Sequence, residues 1–243
     1  MRKIAIANRK GGVGKTTTAV NLAHGLALTG YRVLLIDTDT QAHCSRLLGV
    51  KPEYGLAELI EGTCPSSQAQ IEAREGLFFI GGSKRLEKVL ENVSERGYAL
   101  DMILSETLQP YEGKYDFVIL DTAPGFSRLS VNVIFYADEL LIPVSMEILA
   151  LDGFRDFMTE IEAMTKYTDI EIRYVVPTFY DRRVGKSDQI LEQLQRHFSG
   201  LVTIPIRYST RLSEAPAWGQ TIYEFASKEK VTKDYTSLSE MIS

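Results

Sequence analysis

The chain has few cysteines, no long apolar run and no excess of positive charge. Its 243 residues include only two cysteines, Cys44 and Cys64. They are too few and too far apart in sequence for a disulfide framework or a zinc site, so we expect reduced thiols in a cytoplasmic protein. No apolar run approaches the roughly 20 residues of a membrane-spanning helix. No signal peptide is readable at the N-terminus either.

The charge balance limits the partners of the chain. It has 27 Lys and Arg residues against 32 Asp and Glu residues, which gives a net charge of −5. Contact with nucleic acid must therefore come from a local basic patch. With 44% hydrophobic residues, a chain of this length can bury the core of one α/β domain.

Apolar, β-rich runs alternate with helical patterns along the whole chain. Most of the apolar runs are continuous rather than alternating, which is typical of strands buried on both faces. The predicted strands cover residues 3–7, 32–36, 77–80, 116–120, 139–144, 172–176 and 201–206. The predicted helices cover residues 16–28, 84–92, 152–166 and 187–198, and residues 51–75 read as short helices and loops. This order predicts a single domain over residues 1–243, with a mostly parallel, twisted sheet covered by helices on both faces.

A glycine-rich loop between the first strand and the first helix is the most informative stretch. Residues 10–18 read Lys-Gly-Gly-Val-Gly-Lys-Thr-Thr-Thr and lead directly into an Ala- and Leu-rich helix. Backbone N–H groups of such a loop, together with a helix N-terminus, form a phosphate site. Lys15 is then placed to reach the β- and γ-phosphates, and the Thr16 hydroxyl to hold Mg²⁺. The usual pattern has glycine where this chain has Arg9, and a second lysine, Lys10, precedes the glycine pair.

Aspartates follow two of the predicted strands. Asp37 and Asp39 come at the end of one apolar run, and Asp121 ends another. Ligands of open α/β sheets bind at the carboxyl ends of strands, so these carboxylates are candidates for a magnesium site. Taken alone, Asp-x-Asp after a strand is equally compatible with a helix cap or a solvated loop.

Together these segments resemble a known family. Residues 10–17 closely resemble the deviant Walker A box of the ParA/MinD family of dimeric ATPases. Residues 37–41 resemble its first switch, residues 117–125 its Walker B strand and second switch, and residues 211–222 its late segment. The resemblance covers nearly the whole chain and is closest to the ParA-type (Soj-like) DNA-partitioning branch. It implies a P-loop NTPase fold, ATP and Mg²⁺ as cofactors, and hydrolysis of ATP.

The resemblance also implies roles for individual residues. Lys10 crosses the dimer interface to the phosphates of the partner's nucleotide, Lys15 binds the phosphates, and Asp39 orients or activates the attacking water. Thr16, Asp37 and Asp121 hold Mg²⁺. The nucleotide-binding residues are expected to be Lys10, Gly11, Gly12, Val13, Gly14, Lys15, Thr16 and Thr17, with Pro177, Thr178 and Pro205 near the adenine.

Basic residues cluster late in the chain. Between residues 182 and 211 there are six Lys or Arg residues against two Asp or Glu residues. Such a cluster can form a phosphate-tracking surface with salt-sensitive, sequence-independent DNA binding. It can also simply solubilise helix faces. The candidate DNA-binding residues are Arg182, Arg183, Lys186, Arg207 and Arg211.

The resemblance implies further properties of the partners. ATP-bound homodimers of the family bind DNA non-specifically in the cytoplasm, on the nucleoid. A separate centromere-binding or adaptor protein stimulates their hydrolysis. A related ATPase that positions a protein cargo over the nucleoid, or a MinD-like membrane-associated ATPase, is the alternative. The C-terminal stretch 228–243 mixes charges of both signs and reads as a docking helix, so we expect no stable membrane association.

Overall fold

The computed structural model describes residues 1–95, 102–125, 127–147 and 150–243. Strands and helices alternate along the chain. The strands are β1 (Arg2–Ile6), β2 (Val33–Asp37), β3 (Ile71–Arg74), β4 (Leu77–Ile80), β5 (Phe117–Asp121), β6 (Glu139–Ser145) and β7 (Glu171–Thr178). The helices are α1 (Lys15–Leu28), α2 (His43–Leu48), α3 (Leu56–Glu61), α4 (Ser66–Ala69), α5 (Arg85–Glu95), α6 (Ile103–Leu108), α7 (Arg128–Tyr136), α8 (Ala150–Met164), α9 (Gly185–His197), α10 (Thr210–Glu214), α11 (Ile222–Phe225) and α12 (Lys230–Ile242).

The strands form one 7-stranded sheet in the order β3-β4-β2-β5-β1-β6-β7. Neighbouring strands run parallel, except for the edge pair β3 and β4, which is antiparallel. The α/β fold with a mostly parallel sheet is therefore confirmed. Because β2, β5 and β1 are neighbours, their carboxyl ends and the loops that follow them meet at one edge of the sheet.

The core lies on both faces of the sheet. In β1, Ile4 and Ile6 pack with α1 and α12 on one face, while Ala5 packs on the other face. Leu34 and Leu35 of β2 divide between the two faces in the same way, and both are fully buried. Side chains of a strand alternate between faces, so a strand covered on both sides is apolar at every position. This explains the continuous apolar runs in the sequence.

Two predicted elements differ from the structure. Residues 201–206 form no strand of the sheet; they make one isolated bridge, between Val175 and Val202. Pro205 has no N–H for a strand ladder, and the segment instead attaches to β7 by single hydrogen bonds. The stretch 51–75 contains short helices as predicted, but also β3. That strand has only 4 residues, two of them charged, so its apolar pattern is weak.

Within the described ranges, no helix combines the length and the apolar character that a bilayer crossing demands.

Candidate nucleotide and magnesium site

The glycine-rich loop joins the end of β1 to the start of α1. Gly12 and Gly14 adopt left-handed backbone conformations, with φ of 74° and 86°. Side chains with a Cβ rarely adopt such values, which explains the glycines at these two positions. Gly14 is the residue at which α1 begins, and it has no side chain to cap the helix. The first N–H groups of α1 are thus left for a ligand, as in an anion site.

Asn8 holds the loop from beneath, and the sequence interpretation missed it. Its side-chain amide donates to the Pro143 carbonyl at 2.8 Å, and its Oδ1 accepts from the Lys10 N–H at 2.9 Å. Asn8 is buried, with 3% of its surface exposed. In the sequence, the signal of such an anchor is an asparagine directly after an apolar strand. An amide at that place is buried, and buried polar groups are nearly always hydrogen-bonded.

The two lysines of the loop have different environments. Lys15 is buried, and its Nζ donates to the carbonyls of Asn8 at 3.1 Å and Lys10 at 3.0 Å. Burial lowers its pKa, while the nearby charges of Asp121 and Asp39 act in the opposite direction. Lys10 is more accessible, with 33% of its side chain exposed, and it is not among the described residues that line the cavity over the loop. Its Nζ pairs with Glu147 at 3.2 Å, and the Glu147 side chain is 67% exposed.

Asp37 and Asp121 lie side by side at the ends of β2 and β5, where they are register partners. Both are fully buried. Burial raises the pKa of both carboxyl groups, and the charge of Asp37 raises that of Asp121 further. Among the described residues, Asp121 Oδ1 has no hydrogen-bond partner. An unsatisfied buried carboxylate oxygen beside a second carboxylate fits a divalent cation, and Thr16 adds a hydroxyl from the first turn of α1.

Cys44 also belongs to this cluster, although the sequence interpretation treated it as an ordinary thiol. It is fully buried, and its backbone N–H donates to Asp37 Oδ2 at 3.0 Å. Its thiol donates to Asp121 Oδ2 at 3.4 Å. Burial raises the pKa of this thiol well above its usual range, so it is protonated in the absence of metal.

Asp39 connects the carboxylate pair to the open cavity. Its N–H donates to Asp37 Oδ1 at 2.9 Å, and its own Oδ1 accepts from the Gln41 N–H at 2.9 Å. The next turn contains Ala42 with φ of 52°, a left-handed conformation that is uncommon for alanine. Asp39 lines the cavity over the glycine-rich loop. Its carboxylate is therefore positioned by local hydrogen bonds beside the place that a phosphate would occupy.

The cavity has a volume of about 520 Å³, which is in the range of small-molecule sites. The sequence-predicted residues Gly11, Gly12, Gly14, Lys15, Thr16, Thr17 and Thr178 line it. Val13 is buried beneath the loop, where its carbonyl accepts from the Thr178 hydroxyl at 2.9 Å.

The residues that line the cavity on the side where the adenine is expected differ from those predicted from the sequence. Neither Pro177 nor Pro205 is among the described residues that line it; Phe179, Tyr208 and Leu212 do. The Pro177 carbonyl accepts from the Ile206 N–H at 2.8 Å, so the prolines belong to the backbone behind this wall. Phe179 has φ of 56°. Such a conformation cannot be read from sequence, because it depends on the tertiary contacts of the loop.

The structure brings the two basic segments together. The Tyr180 N–H donates to the Ile206 carbonyl at 3.1 Å, and the Tyr208 N–H donates to the Tyr180 carbonyl at 2.9 Å. This pairing places the loop 181–186 beside residues 206–208. Four of the predicted residues in the two segments are exposed: Arg182, Arg183, Lys186 and Arg211.

Acidic neighbours reduce the charge of this surface. Arg207 pairs with Asp234 through two contacts of 2.6 Å, and the Asp234 side chain is only 8% exposed. Arg183 pairs with Asp181 at 2.7 Å, and Arg211 with Glu214 at 2.9 Å. Asp181 and Glu214 lie just outside the segment counted from sequence, and Asp234 comes from the distant helix α12, so the count of charges overstated the free positive charge.

The fold and this site define a P-loop nucleotide hydrolase. A glycine-rich loop opens a helix, two strand-end aspartates lie beside it, and a cavity of nucleotide size covers both.

Comparisons with known proteins agree on the family. The AAA_31 family, described as an AAA domain, matches residues 1–174. The chain is 36% identical over 249 aligned residues to the chromosome partitioning protein ParA of Caulobacter vibrioides, covering 98% of this chain and 92% of that protein. It is 34% identical over 246 residues to the chromosome-partitioning ATPase Soj of Thermus thermophilus, covering 100% of this chain and 95% of that protein. The chain therefore belongs to the ParA/MinD family of ATPases.

Solved structures show the same fold. Apo McdA of Cyanothece superposes with a TM-score of 0.86 at 24% identity, over 100% of both chains. Cobyrinic acid a,c-diamide synthase of Mycobacterium smegmatis, solved with a bound ATP analog and magnesium, superposes with a TM-score of 0.87 at 26% identity. That match covers 100% of this chain and 94% of the other.

Proposed function

We propose that the chain is a partitioning ATPase in which ATP closes two copies into a face-to-face homodimer. The observation that carries this proposal is the position of Lys10. Its side chain is half-buried at the rim of the phosphate loop, and an exposed glutamate is its partner. Exposed ion pairs contribute about 0–1 kcal/mol, so Lys10 is released at little cost to reach the phosphates of a neighbouring copy.

The residues around the phosphates have separate tasks in this proposal. The N–H groups of residues 11–17 cradle the phosphates of ATP, and Lys15 pairs with their charge. Thr16, Asp37 and Asp121 hold Mg²⁺, which when bound offsets the charge of the phosphates. Asp39 orients or activates the attacking water. The adenine lies toward Thr178, with Pro177 and Pro205 in the backbone behind it.

DNA binding completes the proposed cycle. The exposed residues Arg182 and Lys186 are the centre of a basic surface, with Arg183, Arg207 and Arg211 beside them in ion pairs. Dimerisation doubles the number of phosphates that this surface neutralises, so ATP raises DNA affinity without any change in DNA sequence preference. A centromere-binding or adaptor protein then stimulates hydrolysis, and loss of the γ-phosphate contacts releases both the dimer and the DNA.

The cargo is plasmid or chromosomal DNA in this proposal, which is supported by the names of the ParA and Soj relatives as chromosome-partitioning proteins. The packing of α12 disfavours a MinD-like membrane role. Its apolar residues Val231, Tyr235, Leu238 and Ile242 are buried against α1 rather than presented on an open face. The proposed location is the nucleoid, within the cytoplasm.

A mobility assay with ATP at increasing salt tests DNA binding. We expect the double variant Arg182→Ala/Lys186→Ala to bind DNA more weakly, and to lower the slope of log K against log salt by about 0.9 per lost phosphate contact. The variant Lys166→Ala/Arg173→Ala is the matched control. It removes the same charge at the opposite end of β7, near its first residues, and should bind as the unmodified chain does. Equal binding by both variants would contradict a DNA surface at residues 182–186.

A further inference from the structure

We propose that Cys44, Asp37 and Asp121 form a site for a thiophilic divalent cation such as Zn²⁺. One donor atom from each of the three side chains lies within 4.8 Å of the other two, and all three residues are buried. A magnesium site needs oxygen ligands only, so the sulfur is a donor that magnesium chemistry does not require. Soft thiolate ligands select Zn²⁺ and similar metals over Mg²⁺.

The spacing of the donors agrees with a tetrahedral zinc site. Zn–S bonds of about 2.3 Å and Zn–O bonds of about 2.0–2.2 Å at a tetrahedral angle place sulfur and oxygen about 3.5 Å apart. Cys44 Sγ and Asp121 Oδ2 are 3.4 Å apart. Two carboxylates and one thiolate provide three protein ligands. Such a set leaves a fourth position for water or a phosphate oxygen.

An unsatisfied group points to a ligand at this place independently of the thiol. Asp121 is fully buried, and its Oδ1 lacks a hydrogen-bond partner within the described ranges of the chain. An unpaired buried carboxylate oxygen is costly, and a cation held by both oxygens of Asp121, Oδ1 as well as the Oδ2 that faces Cys44, satisfies it. Both oxygens of Asp37 already accept backbone N–H groups, from Asp39 and Cys44, which fix the orientation of that carboxylate.

Binding exchanges protons for the metal. The cation bonds to the Cys44 sulfur and to carboxylate oxygens of Asp37 and Asp121, and the thiol proton, together with the proton that the buried Asp121 carboxyl holds at neutral pH, leaves to solvent. No oxidant or reductant takes part. Asp39 lines the nucleotide cavity, and its N–H donates to Asp37. Asp39 is therefore the residue between the three-residue cluster and the cavity, through which the cation enters.

The consequence is competition at the magnesium position. This part of the inference rests on the proposed assignment of Asp37 and Asp121 to Mg²⁺. A thiophilic cation that occupies the same two carboxylates excludes Mg²⁺ from them. Micromolar Zn²⁺ is therefore expected to inhibit hydrolysis in the presence of millimolar Mg²⁺. The substitution Cys44→Ser is expected to relieve this inhibition.

Cobalt absorption tests the site directly and without nucleotide. Co²⁺ is titrated into the full-length, reduced protein, and the near-ultraviolet sulfur-to-cobalt charge-transfer band is recorded. The variant Cys64→Ser has Cys44 as its only thiol, so we expect its band to saturate at one equivalent of Co²⁺ and to disappear when Zn²⁺ is added. The matched variant Cys44→Ser removes the other thiol and keeps Cys64, and it should show no band.

Affinity gives a second readout. Changes outside the ligand sphere typically cost about 10–100-fold in metal affinity, so loss of a direct ligand in Cys44→Ser should weaken Zn²⁺ binding at least about tenfold.

A folded Cys64→Ser protein with no band, or a band that persists in Cys44→Ser, would overturn the site. ATP-dependent dimerisation in Mg²⁺ is measured separately. Failure of that dimerisation alongside a normal cobalt band would overturn the proposed function and leave the metal site standing.

Discussion

At the scale of single residues, burial separates the tasks of the two loop lysines. Lys15 is enclosed, and two backbone carbonyls fix its amino group at the floor of the cavity. Lys10 is accessible, and the partner of its amino group among the described residues is the exposed Glu147. A fixed, buried cation is suited to a ligand of its own subunit, and an accessible one to a ligand that arrives with another molecule.

The variant Lys15→Ala should therefore lose nucleotide in the isolated subunit. Charge-assisted hydrogen bonds contribute about 1.5–3 kcal/mol, which is roughly a 10–100-fold loss of ATP affinity. Calorimetric titration of ATP measures it. Lys10→Ala is the control, since in the proposed dimer its side chain contacts the nucleotide of the neighbouring subunit, and a monomer should therefore keep its affinity. An equal loss in both variants would show that Lys10 acts within its own subunit.

The buried carboxylates make a prediction about pH. Burial raises the pKa of Asp37 to about 6, with a smaller contribution from the charge of Asp39, and burial together with the charge of Asp37 raises the pKa of Asp121 to about 8. Unfolded aspartate titrates near 3.9, so above that pH the unfolded chain has released protons that the metal-free fold keeps. The fold binds more protons there, and its stability falls as pH rises toward 8.

The change Asp121→Asn removes the titrating group and most of this dependence. We expect the variant to be more stable than the unmodified chain at pH 8 without metal, and the difference to shrink toward pH 4. Thermal unfolding in a chelator across this range measures the difference. A difference in stability between the two proteins that grows as the pH is lowered would contradict a raised pKa for these buried carboxyl groups.

At the scale of elements, close contact between two chain turns fixes α2 against the late part of the chain. Gly49 ends α2 and Gly219 ends a short 3-10 helix, and both have positive φ. A Cβ at Gly49 would lie 2.9 Å from the Gly219 Cα and from its carbonyl oxygen. Two backbones that approach so closely leave no room for a side chain.

The substitution Gly49→Ala should accordingly destabilise the fold more than Gly62→Ala does. Gly62 ends α3 with φ of +70°, but no described atom lies within 4 Å of its Cβ position. Both variants bear the cost of a left-handed alanine, about 1–2 kcal/mol. Gly49→Ala adds a backbone clash of about 1–3 kcal/mol. Denaturant unfolding compares them, and equal losses would exclude the clash.

Elements with a strong apolar pattern were predictable from sequence, and elements set by distant contacts were not. The strands that carry the site contain continuous apolar runs, at Ile4–Ile6 in β1, Val33–Ile36 in β2 and Phe117–Leu120 in β5, and either an aspartate or the segment with the glycine-rich loop comes after each run. The edge strand β3 was missed because its pattern is short and charged. Residues 201–206 have the composition of a strand, but they do not join the hydrogen-bond ladder of the sheet, because Pro205 has no N–H to donate.

At the scale of the whole molecule, the sequence placed the phosphate loop and the aspartates, because each follows its strand directly. Cys44 could not be assigned to the metal cluster in the same way, since only the turn after β2 brings it under Asp121. The wall formed by Phe179 and Tyr208 likewise depends on the pairing of two distant loops. Side chains that enter a site from a loop are the ones that sequence patterns fail to locate.

The central claim is that a neighbouring copy of the chain completes each active site through Lys10. Light scattering coupled to size exclusion, in ATP and Mg²⁺, tests it on the Asp39→Ala background, which should stop hydrolysis and hold the ATP-bound state. We expect Asp39→Ala to be a dimer, and Asp39→Ala/Lys10→Ala a monomer. The control Asp39→Ala/Arg9→Ala removes the adjacent, exposed cation and should still dimerise. A monomer in all three proteins, or a dimer that persists without Lys10, would contradict the account.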